Sequence, residues 1–149
     1  MNAQDLRAGV QGFVRRFGLL APDRTPCGEA LPPATAHALL HLLAADPAPT
    51  QQDLVDALGL DKSNVARLCQ RLERAGHLTR VVDADDRRAR RVRLTAKGHR
   101  LASRVDASSR ARFDAVFAAL SVRDRSVVVD ALARLTAAID VVADERVSA

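Results

Sequence analysis

Residues 51–76, QQDLVDALGLDKSNVARLCQRLERAG, constrain this chain most, because two short helical patterns meet there at a glycine. Counting Gln51 as position one, Gly59 falls at position nine. A sharp turn between two helices needs a residue that tolerates positive φ, and glycine does so at little cost. Leu54, Leu58, Leu60, Val65 and Leu68 occupy positions 4, 8, 10, 15 and 18, where the helices must pack on one another. Val55 stands at position five, where a smaller residue would ease the contact. Thr50 with Asp53 reads as an N-cap with an acid at N3, so the first helix covers about 51–58. Asp61 caps the second over about 62–75, and Gly76 suits its C′ position. LTRVV (78–82) and RVRL (91–94) are then β-branched or alternating, with DADDRRAR between them. That is a hairpin with a long charged tip. Two short helices, a glycine turn and a basic hairpin together predict a winged helix-turn-helix.

The flanks read as helices. Leu6, Val10, Phe13, Val14 and Phe17 share one face of a helix over about 3–19. Residues 20–33 are a proline-rich loop containing Gly28. A second helix over about 33–45 starts at Pro33 and buries Leu39, Leu40 and Leu43. After the hairpin, Thr95 caps a helix over about 96–119 with Leu101, Val105, Phe113, Val116 and Phe117 on its apolar face. A last helix over about 123–143 aligns Val128, Leu132, Leu135, Ile139 and Val142. The expected fold is mainly α, with about six helices and a small β-hairpin wing. It reads as one integrated fold in three parts: residues 1–49, the winged helix-turn-helix at 50–98, and the C-terminal helices at 99–149. The outer helices keep long aliphatic faces that a reader of ~50 residues cannot cover, so a homodimer built from the N- and C-terminal helices is expected.

The net charge of +5 over 149 residues is modest, and its placement matters more. Residues 1–49 carry four Arg and four acids; residues 50–98 carry nine Arg, two Lys and seven acids; residues 99–149 carry eight Arg and seven acids. Four of the five excess charges therefore lie in the winged segment, and 80–93 alone holds six Arg and three Asp. Two Cys are too few for a disulfide framework, no apolar run is long enough to span a membrane, and the N-terminus lacks a signal-peptide layout. A reduced cytoplasmic protein is expected. No G-x-S-x-G, P-loop, dinucleotide fingerprint or H-E-x-x-H occurs, and the acids form no catalytic pair, so an enzyme is not expected.

A recognition helix places its N-terminal residues at base edges in the major groove. Here those are Lys62, Ser63, Asn64 and Arg67, with Gln70 and Arg71 further along. Asn and Gln pair bidentately with adenine, and Arg with guanine. At the hairpin tip Arg87, Arg88, Arg90 and Arg91 are available for a narrow minor groove. Asp83, Asp85 and Asp86 would repel phosphate, so an Asp–Arg pair bracing the tip is expected. The rival reading is a winged-helix protein-interaction module without DNA binding, and the Arg-rich wing argues against it.

Residues 51–98, and most closely DADDRRARRVRLTAKG at 83–98, resemble the multiple-antibiotic-resistance regulator (MarR) family of bacterial winged-helix proteins. The resemblance implies a homodimeric transcriptional regulator, a ligand-responsive repressor on a pseudo-palindromic operator in double-stranded DNA. It implies helix 62–75 as the recognition helix, Arg87 or Arg88 in the minor groove, and Asp86 with an Arg of the same stretch as the bracing pair. Members often respond to phenolic or lipophilic molecules, metals or oxidants. His37 and His41, four residues apart, have a metal-capable spacing, and Cys27 precedes the same helix, so these three are the candidate divalent-metal ligands. Cys27 is alternatively a thiol switch. Phe13, Phe17, His37 and His41 are the candidate lining of a small-molecule effector pocket. Cys69, on the apolar stripe, is expected in the core.

Overall fold

The computed structural model describes residues 1–88 and 90–147. Six helices and one hairpin follow in order: α1 (Ala3–Phe17), α2 (Pro33–Ala44), α3 (Gln51–Leu58), α4 (Lys62–Arg74), β1 (Leu78–Val82), β2 (Arg90–Leu94), α5 (Ala96–Ala119) and α6 (Val122–Val147). Met1–Arg110 and Ala111–Ala149 are two compact units.

Local chemistry sets the helix ends. Asn2 and Asp5 form a capping box that starts α1, and Gly18 at φ 90° ends it two residues earlier than the apolar pattern predicts. Thr50 accepts from the Asp53 amide while Asp53 caps the Thr50 amide, which is a full capping box for α3. Gly59 adopts the left-handed conformation (φ 61°) expected of the turn. Val55 is accommodated at the edge of the core. β2 begins at Arg90, one residue before the expected start.

The core of the first unit is aliphatic. Ala38 and Leu39 of α2, Leu54 of α3, Val65, Leu68, Cys69 and Leu72 of α4, Leu78 of β1, Val92 of β2, and Leu101, Ala102 and Val105 of α5 form one buried cluster. Cys69 is buried as expected, and burial pushes its thiol pKa up. β1 and β2 pair antiparallel, from Leu78 opposite Leu94 to Val82 opposite Arg90. The segment before α3 adds a fragment of a third strand: the Val92 amide donates to the Pro49 carbonyl (2.8 Å), and Thr50 bridges Arg91.

A clasp joins the end of α4 to the start of α5. Thr95 Oγ1 donates to the Gly76 carbonyl (2.7 Å), and the Thr95 amide to the His77 carbonyl (3.0 Å). Lys97 Nζ donates to the Ala75 carbonyl (2.7 Å), satisfying the C-terminal end of α4. Gly98 sits against this junction so closely that a β-carbon there would lie 2.0 Å from the His77 carbonyl oxygen. The Thr-x-Lys-Gly run at 95–98 is thus a docking device.

In the second unit, Ser121 caps α6, so the helix starts at Val122. The Arg125 guanidinium lies 4.7 Å over the Phe117 ring. None of residues 122–144 is buried, and Phe113, Leu132, Ile139 and Val142 are about half exposed. No helix among the described residues is long and apolar enough to cross a membrane.

Candidate nucleic-acid interface

Helix α4 buries Val65, Leu68, Cys69 and Leu72 and turns Lys62, Ser63, Asn64, Arg67, Gln70 and Arg71 outward. Asp61 organises the first turn. Its carboxylate accepts from the Asn64 amide (2.8 Å), the Ser63 hydroxyl (2.6 Å) and the Asn64 side-chain amide. These bonds, the Ser63 hydroxyl first, hold its pKa below the usual carboxylate range. Arg67 Nη2 in turn donates to Asn64 Oδ1 (2.8 Å). Ser63, Asn64 and Arg67 therefore share one surface network. Lys62, Gln70 and Arg71 have no side-chain partner among the described residues.

The wing corrects the expected bracing pair. Asp83, buried at the exit of β1, is the bracing acid, and Arg91 of β2 is its partner. Asp83 Oδ1 accepts the Asp85 amide (2.7 Å) and the Asp86 amide (3.0 Å), while Oδ2 accepts from Arg91 Nε. Arg91 Nη1 also donates to the Ala48 carbonyl (2.6 Å), tying the wing to the segment before α3. Asp86 is exposed and instead caps the Arg88 amide (2.9 Å). The reason is reach: Asp83 leaves the sheet beside β2, whereas Asp86 has already turned into the tip. The Asx-turn pattern, an Asp followed two residues later by a turn, was the available sequence signal. Arg87, Arg88 and Arg90 are exposed without side-chain partners among the described residues.

The amides of Asp86 and Asp85, then Arg91, hold the Asp83 carboxyl below its ordinary pKa. A depressed folded-state pKa stabilises the wing above the unfolded value of about 4 and stops doing so as pH falls through the folded one. Asp83→Asn should therefore lower Tm at neutral pH, and its gap to wild type should narrow in acid. Melting curves followed from pH 7 to pH 3 by circular dichroism check this; a gap independent of pH would count against the brace.

The expected metal and effector residues do not converge. Among the described residues no group of three or more His, Cys, Asp and Glu is arranged to hold a metal ion, which removes the Cys27/His37/His41 site. Cys27 Sγ lies 3.0 Å from Thr25 Oγ1, inside a loop that closes on Glu29. Glu29 is anchored to α5 by Ser108 Oγ (2.6 Å) and Arg104 Nε (3.2 Å), which lower its pKa. The Asp53 carboxyl has its pKa lowered chiefly by the Thr50 amide, with His41 a minor Coulombic cause. His37 borders a hollow of about 310 Å³ with Ala34, Ala57, Leu58 and Leu60. Phe13 and Phe17 stack on each other at 5.0 Å along α1 and do not line it. The four candidate effector residues thus do not line one hollow.

Residues 31–89 match the model of the MarR family. Among solved structures, the transcriptional regulator PA3341 is 28% identical, with 93% of this chain and 94% of that one covered and a TM-score of 0.63. PcaV of Streptomyces coelicolor, a transcriptional regulator in complex with its natural ligand, is 25% identical (93% and 94% covered, TM-score 0.66). BpsR of Bordetella bronchiseptica, whose DNA binding is regulated by 6-hydroxynicotinic acid, is 25% identical (91% and 93% covered, TM-score 0.67).

Proposed function

Because the chain belongs to the MarR family of winged-helix transcriptional regulators, we propose that it binds a pseudo-palindromic operator as a cytoplasmic homodimer and represses until a small ligand releases it. One observation carries the reading. Two neighbouring elements present unpaired cations outward: Lys62 and Arg71 on α4, and Arg87, Arg88 and Arg90 on the wing. Of the three wing acids, Asp83 has its charge taken up by Arg91, and Arg87, Arg88 and Arg90 outnumber the remaining Asp85 and Asp86. The wing tip is thereby left net cationic.

In this reading α4 enters the major groove. Asn64 and Arg67, already hydrogen-bonded to each other, are aligned for base edges, and Gln70 lies one turn further along. Phosphates meet Lys62 and Arg71, and Arg87 or Arg88 reaches the minor groove. The exposed aliphatic faces of α1, α5 and α6 supply the dimer contact. Each Leu, Ile or Phe buried there contributes about 1.5–3 kcal/mol. Two readers then fit half-sites about one DNA turn apart. Liganded PcaV and the ligand-regulated DNA binding of BpsR support an effector. An apolar molecule in the hollow beside His37 would press on Leu58 and Leu60, on either side of the Gly59 turn.

The test is affinity for duplexes from the DNA flanking the coding gene, measured by fluorescence anisotropy against salt. Phosphate contacts of this number imply a loss of about a thousandfold or more between roughly 50 and 200 mM salt. The same protein should sediment at twice its 16.0 kDa chain mass. No binding to any such duplex at low salt would leave the interaction-module reading in its place.

A further inference from the structure

The opposite end of α2 from its proline start borders a second hollow, of about 230 Å³. Its walls are Leu42, Leu43, Ala45 and Asp46 at the end of α2, Ala48 beyond it, Val92, Arg93 and Leu94 of β2, and His99 in the first turn of α5. Three features make it unlike the apolar hollow beside His37. First, it gathers a carboxylate, Asp46 after α2, with a guanidinium, Arg93 of β2, and an imidazole, His99 of α5. Second, none of these three side chains has an ion-pair or hydrogen-bond partner among the described residues, so their capacity is unspent. Third, the C-terminal end of α2 adjoins Asp46, and a helix C-terminus carries partial negative charge that favours a cation. Its volume lies below the roughly 300 Å³ at which sites for drug-sized ligands begin, so the occupant is small.

We propose that this hollow binds a free amino acid with an aliphatic side chain. Its carboxylate meets the Arg93 guanidinium and the His99 imidazole. Its ammonium meets Asp46 and the α2 terminus. Its side chain lies on Leu42, Leu43 and Leu94. The place is consequential, because the same seam holds the wing: the Ala48 carbonyl accepts from Arg91, and the Pro49 carbonyl accepts from the Val92 amide. An occupant touching Ala48 and Val92 fixes the spacing of the wing to the segment before α3. That link to DNA affinity rests on the reading of the wing as a DNA contact; the binding itself does not.

The test is a titration of the full chain, without DNA, followed by ¹H–¹⁵N spectra. The probes are L-leucine, 4-methylpentanoate (no ammonium) and 3-methylbutylamine (no carboxylate). Leucine should bind saturably, with shifts concentrated at residues 42–48 and 92–99. Each truncated probe, and each of Arg93→Gln and Asp46→Asn with leucine, should bind about tenfold or more weakly, the loss expected for one charge-assisted hydrogen bond. Both positions are exposed, and thermal melts establish that the variants are folded. No saturable leucine shift at millimolar concentration, shifts confined to other regions, or a truncated probe that binds as tightly as leucine would each overturn the proposal. Because no DNA is present, a failure here is distinct from a failure of operator binding.

Discussion

Replacing Arg87 and Arg88 together by Glu should abolish DNA binding while leaving Tm within a degree or so of wild type. Both side chains are exposed and unpaired among the described residues, so their loss removes no contact within the chain. The brace beneath them, Asp83 with Arg91, is untouched. On DNA the change is a swing of four charges per protomer against a phosphate lattice. Each lost cation removes roughly one unit of salt slope, and each new anion adds repulsion in its place. The combined loss should exceed about a hundredfold at moderate salt. Anisotropy titrations with wild type and variant, paired with thermal melts, give the answer. Retained affinity in a folded variant would remove the wing from the interface.

Gly98→Ala should be the most destabilising small substitution in the first unit. An added β-carbon would lie 2.0 Å from the His77 carbonyl oxygen and 3.0 Å from its carbon, with Leu94 Cδ2 at 3.2 Å. The nearest atoms are backbone and cannot rotate away. That carbonyl is also the acceptor for the Thr95 amide. Relief requires the first turn of α5 to move, which breaks the Thr95 and Lys97 bonds to the end of α4. Ala gains about 1 kcal/mol of helix propensity over Gly, against a strain and repacking cost of about 3 kcal/mol or more. The clash wins. Gly9→Ala is the control: it lies within α1 with nothing within 4 Å of the added carbon, so propensity acts alone and the change is neutral or mildly stabilising. Urea denaturation of the two variants should therefore move the midpoint in opposite directions or leave only Gly98→Ala displaced. Equal midpoints for all three proteins would contradict the close packing of α5 on His77.

Helices and hairpin were legible because the physics that sets them is local. Thr50, Asp61 and Gly59 announce their roles by type and spacing, and the α4 stripe at Val65, Leu68 and Leu72 separates core from surface by period alone. Long-range pairings were not legible. Asp86 was the expected brace, yet Asp83 holds it, because the choice depends on which carboxylate remains beside β2 after the chain leaves the sheet. Arg91 reads in sequence as one more wing cation; its pairing with Asp83 and its reach to the Ala48 carbonyl, 43 residues away, make it structural. The bond of Lys97 to Ala75 was hidden for the same reason. Cys27, His37 and His41 show the opposite error: a spacing that allows metal binding does not bring a third ligand into range.

The brace at the root of the wing separates two things a sequence can change. Asp83 and Arg91 lock the hairpin's base to the chain before α3, and Arg87 and Arg88 stand exposed beyond that lock. The tip is therefore a replaceable cassette. Exchanging Arg87 or Arg88 there removes no hydrogen bond or ion pair of their side chains among the described residues, whereas exchanging Asp83 or Arg91 undoes the lock. Changes at the tip can then alter what the wing touches at little cost to the fold.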